Sequence, residues 1–328
     1  MTSPASAPSI AWLRRQSRWS VFEVVFWLAT LLPFYFFPTY LPLASQVAIT
    51  ALFAISVDLI LGYAGIITLG HAMFFGVGAY AAGILSARWG WGEPISGLLF
   101  AAGVAALVGF VASFLIVRVQ HLALLMVTLG LGFLTLELAN AMTWLTGGTD
   151  GLRGVSTWSI FNRYRFDLWG YTAYSYSLAV LFIGFLISRR IVNSSFGLSL
   201  RGIRENLRRM PAIGAEPRRH LRKIYTISAA LAGVAGALLT QTTNTVVLDV
   251  MSFQRSADVV VMLILGGTGR LYGAIIGAVI FLLVRDQVAG LNPQYWYFWI
   301  GLLLMAVVLF MPRGILGGLT RLIGKRDA

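Results

Sequence analysis

The 328-residue sequence contains no cysteine, which excludes a disulfide framework, a thiol nucleophile and a cysteine-ligated metal. Its three histidines, His71, His121 and His220, are widely spaced and form no metal-ligand set. Charge is scarce. Asp, Glu, Lys and Arg make up 11% of the chain, against about 25% in a soluble domain. Acidic residues are the scarcest, with 12 Asp and Glu beside 25 Lys and Arg. No G-x-x-x-x-G-K-[ST] loop occurs, so ATP hydrolysis by this chain is not expected. The absence of G-x-S-x-G and H-E-x-x-H removes the commonest hydrolase readings.

Apolar residues dominate instead, at 58% of the chain. They fall in repeated runs of about 20 residues, long enough to cross a bilayer as helices. The runs are continuous and do not alternate, which argues against a β-barrel. The expected fold is an all-α polytopic membrane protein with about ten transmembrane segments, some short or broken. The net charge of +13 would suggest nucleic acid in a soluble protein. Here it gathers in loops, where the membrane explains it and no nucleic acid is needed.

One loop sets the orientation. Residues 189–223 hold ten of the 25 Lys and Arg, with only Glu205 and Glu216 against them. Cations are retained on the cytoplasmic side because carrying them across the bilayer is costly. Residues 1–20, with Arg14, Arg15 and Arg18 and no cleavage site after a short apolar core, read as a retained cytoplasmic tail. A first membrane bundle over 21–187 would contain six spans, at 21–41, 43–61, 62–85, 95–117, 121–145 and 171–187. Pro33 and Pro38 would kink the first. An outside loop at 146–170 has turn chemistry throughout. After the basic loop, 188–223, a second bundle over 224–312 would contain spans at 224–243, 259–265, 271–288 and 295–311. Ten crossings return a basic tail, 313–328, to the inside.

Two stretches interrupt the apolar pattern. Gly62, Gly65, Thr68, Gly70 and His71 suggest a break or re-entrant turn, tolerated at membrane depth only against protein or a water-filled cavity. Arg255 and Asp258 precede a short apolar piece and then Gly266–Gly267–Thr268–Gly269. LGYAG at 61–65 and LGGTG at 265–269 share three of five residues. Paired interruptions of this kind point to a transport path in membrane folds built from repeats. Candidate path or gate residues are therefore Asp58, Gly65, Thr68, His71, Glu137, Asn140, Asp258 and Gly267. Intramembrane carboxylates are costly and read as functional. The alternative is that each sits at a helix end among wet headgroups, and that His71 holds a turn. Small residues four apart, Ala72 with Gly76 and Ala79 with Gly83, would admit a neighbouring helix, as would Ala229, Gly233 and Ala237 with Ala232 and Gly236.

Within the basic loop, 196–209 has helical periodicity. Phe196, Leu200, Ile203 and Leu207 share one face, and Arg201, Arg204, Glu205 and Arg208 another. Ser194 or Ser195 would cap it, Pro211 would stop it, and Glu205 would pair with Arg209. Pro217 suits the first turn of the next helix. Anionic lipid would account for the charge alone. A short amphipathic helix held between two spans is also what a docking surface needs.

Four stretches resemble the branched-chain amino acid ABC transporter permeases, specifically the LivM type. They are GYAGIITLGHAMFFGVGAYAAG, TGGTDGL at 146–152, SSFGLSLRGIRENLRRMPAIGAEPRRHLRKIYTISAALAGVAGAL, and LGGTGRLYGAIIGA. The resemblance runs over 43–318. It implies a type II-like importer permease that pairs with a second, LivH-like permease. It also implies two ATPase subunits, LivG- and LivF-like, that bind ATP and Mg, and a periplasmic substrate-binding protein. No cofactor or metal would sit on this chain, which would be a transport subunit and not an enzyme. The helix at 196–209 would be the coupling helix that docks on an ATPase. Gly197, Arg201, Arg204, Glu205 and Asn206 match the family pattern and would carry docking. Arg208, Arg209, Met210 and Pro211 depart from it. They shorten the helix and make it more basic, which calls for an acidic patch on the partner, and Arg208 joins the other five as the sixth docking candidate. The implied cargo is branched-chain or related amino acids, with urea or short amides as the alternative. An ion-coupled secondary transporter using Asp58, Glu137 or Asp258 is the competing class. The implied location is the bacterial cytoplasmic membrane, with both termini cytoplasmic.

Overall fold

The computed structural model describes residues 21–36, 38–119, 121–159, 170–291, 294–310 and 314–323. The tail at 1–20 and much of the outside loop lie beyond these. Among the described residues the chain is helical, with one isolated bridge between Leu152 and Val246. Each of the ten expected crossings contains a helix. Six helices are long and apolar enough to cross a membrane, and three shorter apolar ones accompany them.

The first expected span is broken. α1 (Val21–Ala29) and α2 (Leu32–Phe36) are separate. The break falls just before Pro33, whose ring clashes with the carbonyl four residues earlier. A 3-10 turn, Pro38–Tyr40, leads into α3 (Leu41–Asp58). The third crossing is irregular over 64–71 and helical only as α4 (Ala72–Ala87). α5 (Pro94–Ile116) and α6 (His121–Ala141) follow, and Met142 separates α6 from a four-residue turn, Thr143–Thr146. α7 (Tyr171–Val192) delivers the chain to the basic loop and its helix α8 (Ser195–Glu205). α9 (Pro217–Thr243) starts on Pro217, before the span expected at 224–243, and ends with it, its first turns carrying cations of the loop. α10 (Phe253–Gly266) stands at the expected eighth crossing and includes Arg255 and Asp258, and it is neither one of the six membrane-length helices nor one of the three shorter apolar ones found among the described residues. α11 (Leu271–Leu291) and α12 (Trp296–Phe310) complete the second bundle. The stretch expected as a plain tail holds one more helix, α13 (Gly314–Ile323), which packs back on α10 and α11.

α3 and α9 form the core, each with 72% of its membrane-length window buried inside the chain. α9 packs against α5, α4 and α3, and α3 also packs against α7 and α11. Lipid tails are as apolar as leucine, so helix pairing in a bilayer rests on close contact more than on the hydrophobic effect. The contact is close here. Gly78 of α4 lies against the backbone of Gly233, Gly236 lies against the carbonyl of Phe75, and Gly109 of α5 receives Ala229. Thus the small-residue stripe of α9 meets two helices. In α4 the expected pairs divide. Gly76 receives the side chain of Met251. Ala79 and Gly83 do meet α9: the Ala79 carbonyl accepts Thr240 Oγ1 at 3.0 Å, and Gly83 receives Thr240 together with Leu152 and Val246 from the loops. Gly78, outside the four-residue spacing, meets α9 as well.

At one end of the bundle the 151–158 segment is tied down. Leu152 N–H donates to the Val246 carbonyl at 2.8 Å, Ser86 Oγ to the Ser156 carbonyl at 2.7 Å, and Thr157 Oγ1 to the Gln241 carbonyl at 3.0 Å. The basic loop lies at the other end.

Candidate functional site

The two broken stretches meet at the end of the bundle that carries the basic loop. α3 finishes in a π-helical turn, Leu59–Tyr63, the wider turn often found at functional sites. The chain then leaves the helix, and Gly65 takes φ 75°, a left-handed conformation that glycine adopts without a Cβ clash. After α10, Gly269 takes φ 76°. LGYAG and LGGTG therefore share a left-handed glycine at the fifth position.

Asp58 joins them. It is fully buried, and its Oδ1 accepts the N–H of Gly269 at 2.7 Å. Burying a carboxylate costs several kcal/mol, roughly, unless hydrogen bonds and a counter-charge compensate. Gly269 supplies the bond, and Arg204 is the cation that acts on Asp58. Gly62 sits between the two, where a Cβ would strike both Asp58 Oδ1 and the Gly269 backbone.

α8 lies over this junction. Ser194 Oγ accepts the N–H of Gly197 at 3.4 Å and caps the helix. Gly197 is buried against the carbonyls of Ile191 and Val192, which lets α8 turn off the end of α7. Leu200 and Ile203 face inward and are buried, and Phe196 and Leu207 are half-buried.

The helix expected over 196–209 ends early, at Glu205. Asn206 is extended, with φ −153° and ψ 94°, and its Oδ1 accepts the N–H groups of Arg208 and Arg209 at 3.1 and 3.2 Å. That local turn competes with the helix and wins. Glu205 and Arg209 are then no longer one helical turn apart, and no ion pair joins them. Pro211 opens a 3-10 turn, Met210–Ile213, instead of stopping the helix.

The six docking candidates divide. Gly197, Arg201 and Arg204 contact the chain itself. The Arg201 guanidinium lies 5.3 Å from the centre of the Tyr63 ring. Arg204 Nη1 donates to the carbonyl of Gly62, and the Arg204 stem covers Gly65, where an added Cβ would come 2.9 Å from Cγ. Arg204 is exposed despite these contacts, and so are Glu205, Asn206 and Arg208.

The path candidates also divide. Asp58 and Gly65 belong to the junction, and Gly267 lies under Gly314 of α13. Thr68 is buried, and its Oγ1 accepts Gly70 N–H at 3.4 Å. His71 is buried among Phe53, Phe74 and Tyr225, with Nε2 3.0 Å from Ser228 Oγ. Ser228 Oγ donates to the Ser56 carbonyl, which leaves its lone pairs to face His71 Nε2. Asp258 lies two turns before the second break and accepts from Gln254 Nε2 at 2.9 Å. Glu137 is exposed near the far end of α6 and accepts from Asn140 Nδ2 at 3.4 Å.

Sequence reasoning missed four contributors. Gly62 and Gly269 stand in the LGxxG pattern, which gives their turns but not their meeting. Tyr63 carries no signal beyond being aromatic at a helix end. Arg189 pairs with Glu23 at 3.0 Å, tying α7 to α1. Arg189 reads only as the first cation of the basic loop, and nothing in the sequence marked Glu23 or the pair.

A bundle of long apolar helices with two of its crossings broken is the body of a multi-pass integral membrane protein. The chain belongs to the family described as branched-chain amino acid transport system, permease component, whose model matches residues 39–308. It is 27% identical over 299 residues to the high-affinity branched-chain amino acid transport system permease protein LivM of Escherichia coli K12, covering 84% of this chain and 69% of that one. It is 26% identical over 312 residues to the probable LivM permease of Methanocaldococcus jannaschii, covering 80% and 89%. It is 29% identical over 282 residues to LivH of Escherichia coli K12, covering 81% and 91%. No solved structure matches significantly. Relatives named as transport permease subunits make this chain a transport subunit and not an enzyme.

Proposed function

We propose that the chain is one permease of an ATP-driven importer for branched-chain or related amino acids. It works in a bacterial cytoplasmic membrane with both termini inside. A second, LivH-like permease completes the translocation path. LivG- and LivF-like ATPase subunits, which bind the ATP and Mg, drive it, and a periplasmic binding protein delivers cargo. The supporting observation is α8, an amphipathic basic helix whose inner face rests on both broken turns while Glu205, Asn206 and Arg208 face solvent.

α6 supports a place for the second permease. Only 17% of its membrane-length window is buried inside the chain, and Glu137 lies on its exposed face with Phe133, Leu134 and Leu138. A carboxylate in that position is costly against lipid and acceptable against protein or a water-filled path. Orientation follows from the basic loop, which the positive-inside rule puts in the cytoplasm.

The test is reconstitution of the chain in proteoliposomes with the second permease, the ATPase subunits and the binding protein. Labelled leucine, isoleucine, valine and urea are offered in turn. ATP-dependent uptake of an aliphatic amino acid supports the reading. Uptake of urea alone transfers it to the short-amide alternative. Uptake driven by a proton or sodium gradient without ATP overturns it.

A further inference from the structure

We infer that Arg204 is a positioning residue that couples α8 to the membrane bundle and not a contact to the ATPase. The inference rests on the docking reading above and refines it. Arg204 is at the last turn of α8, and one side chain touches three separate parts of the junction. Nη1 donates to the Gly62 carbonyl at the end of α3. The aliphatic stem packs over Gly65, which has no side chain to block it. Nη1 also lies 3.3 Å from the position a Cβ would take on Gly269, at the start of α11.

Beneath it, Asp58 on α3 holds Gly269 N–H at 2.7 Å. Arg204, Gly62, Asp58 and Gly269 therefore form one clasp. It connects α8 to α3 and to the α10–α11 turn, through residues 142 and 211 positions apart. Arg201 adds a second hold on the same element through the Tyr63 ring.

The clasp is suited to transmit motion. α3 is in the core of the first bundle and packs against both α9 and α11, so a pull on Gly62 is carried by a packed helix and not by a loop. Bare glycine backbone at 62, 65 and 269 lets the Arg204 side chain reach the main chain directly, with no second side chain between them. Each bond in the clasp has one donor and one acceptor, so α8 cannot shift along the junction without breaking a bond or moving α3 with it. Arg204, Glu205 and Arg208 are all exposed; what sets Arg204 apart is that its side chain is engaged by Gly62 and Gly65.

The experiment uses the complete complex in proteoliposomes and compares Arg204→Met, Arg204→Lys and Glu205→Ala with Arg208→Ala. Three quantities are read: ATPase subunits retained on purification, ATP hydrolysis, and cargo imported per ATP. Methionine keeps an apolar stem over Gly65 and removes the donor, whereas lysine keeps a cation and a donor. Arg204→Met is expected to retain the ATPase subunits and hydrolysis while cargo per ATP falls at least tenfold. Arg204→Lys is expected to recover at least half of the lost ratio. Loss of the ATPase subunits in Arg204→Met overturns the inference, because the residue would then be a docking contact. An unchanged ratio, or a failure of lysine to restore it, overturns it as well. The Glu205→Ala, Arg208→Ala pair judges the docking reading separately. Full association and coupling in that variant defeat docking by the outer face, whatever Arg204 does.

Discussion

Asp58 and Gly269 are 211 positions apart and are joined by one hydrogen bond of 2.7 Å. If that bond holds the junction, the acceptor matters more than the charge. Asp58→Ala leaves the Gly269 N–H without its partner and is expected to cost about 2–4 kcal/mol. Asp58→Asn keeps an acceptor oxygen and is expected to cost less than half as much. Thermal unfolding of the purified variants in one detergent gives the comparison. Equal losses for Asn and Ala would show that the bond is not what the carboxylate contributes.

Gly62 gives a test of shape. A Cβ there meets Asp58 and the Gly269 backbone, whereas a Cβ at Gly103 of α5 meets nothing within 4 Å. Gly62→Ala is expected to cost about 1–3 kcal/mol through overpacking. Gly103→Ala is expected to be neutral or to stabilise by up to about 1 kcal/mol through helix propensity. The melting temperatures of the two variants should move in opposite directions or only the first should fall.

The α4–α9 crossing depends on backbone approach. Gly236 lies against the Phe75 carbonyl and Gly78 against Gly233. Gly236→Val should therefore prevent the two helices from closing, and the variant is expected to aggregate on size-exclusion chromatography. Gly76→Ala meets the flexible Met251 side chain instead and is expected to stay monodisperse.

Glu93 caps α5, where its carboxylate accepts Ser96 N–H at 2.7 Å. Hydrogen bonding from Ser96 holds its carboxyl below the ordinary range. A depressed carboxyl stabilises the fold above its unfolded pKa, and that contribution is lost as pH falls through the folded value. The stability gap between the natural chain and Glu93→Ala is expected to be about 1 kcal/mol near neutral pH. It should close below about pH 4. A gap that stays constant into acid would show that Glu93 acts without its charge.

The apolar runs, the basic loop and the small stripe of α9 were legible because each is a local pattern with a physical period or sign. The two broken turns were legible as well, since glycine and polar residues interrupt runs that should be uniform. What they do was less so. Pro211 seemed the stop signal for the short helix, but the Asn206 side chain formed its own turn first. Ala79 and Gly83 do contact α9 through Thr240, but the spacing gave no sign that Leu152 and Val246 would share the space at Gly83, or that Gly76 would receive Met251. Arg204 shares a helical face with Glu205 by periodicity, and its long side chain nonetheless swings back to Gly62. Periodicity fixes where a Cβ points. It does not fix where four further bonds carry a guanidinium, or which backbone 142 residues away receives it.

The most direct measurement uses the absence of native cysteine. Glu205→Cys puts the only thiol of the chain on the outer face of α8. In sealed vesicles of known sidedness, a membrane-impermeant maleimide should label it from the cytoplasmic side alone, and the ATPase subunits should block that labelling when present. Labelling from the opposite side, or equal labelling with and without the ATPase subunits, would contradict a docking helix at this position.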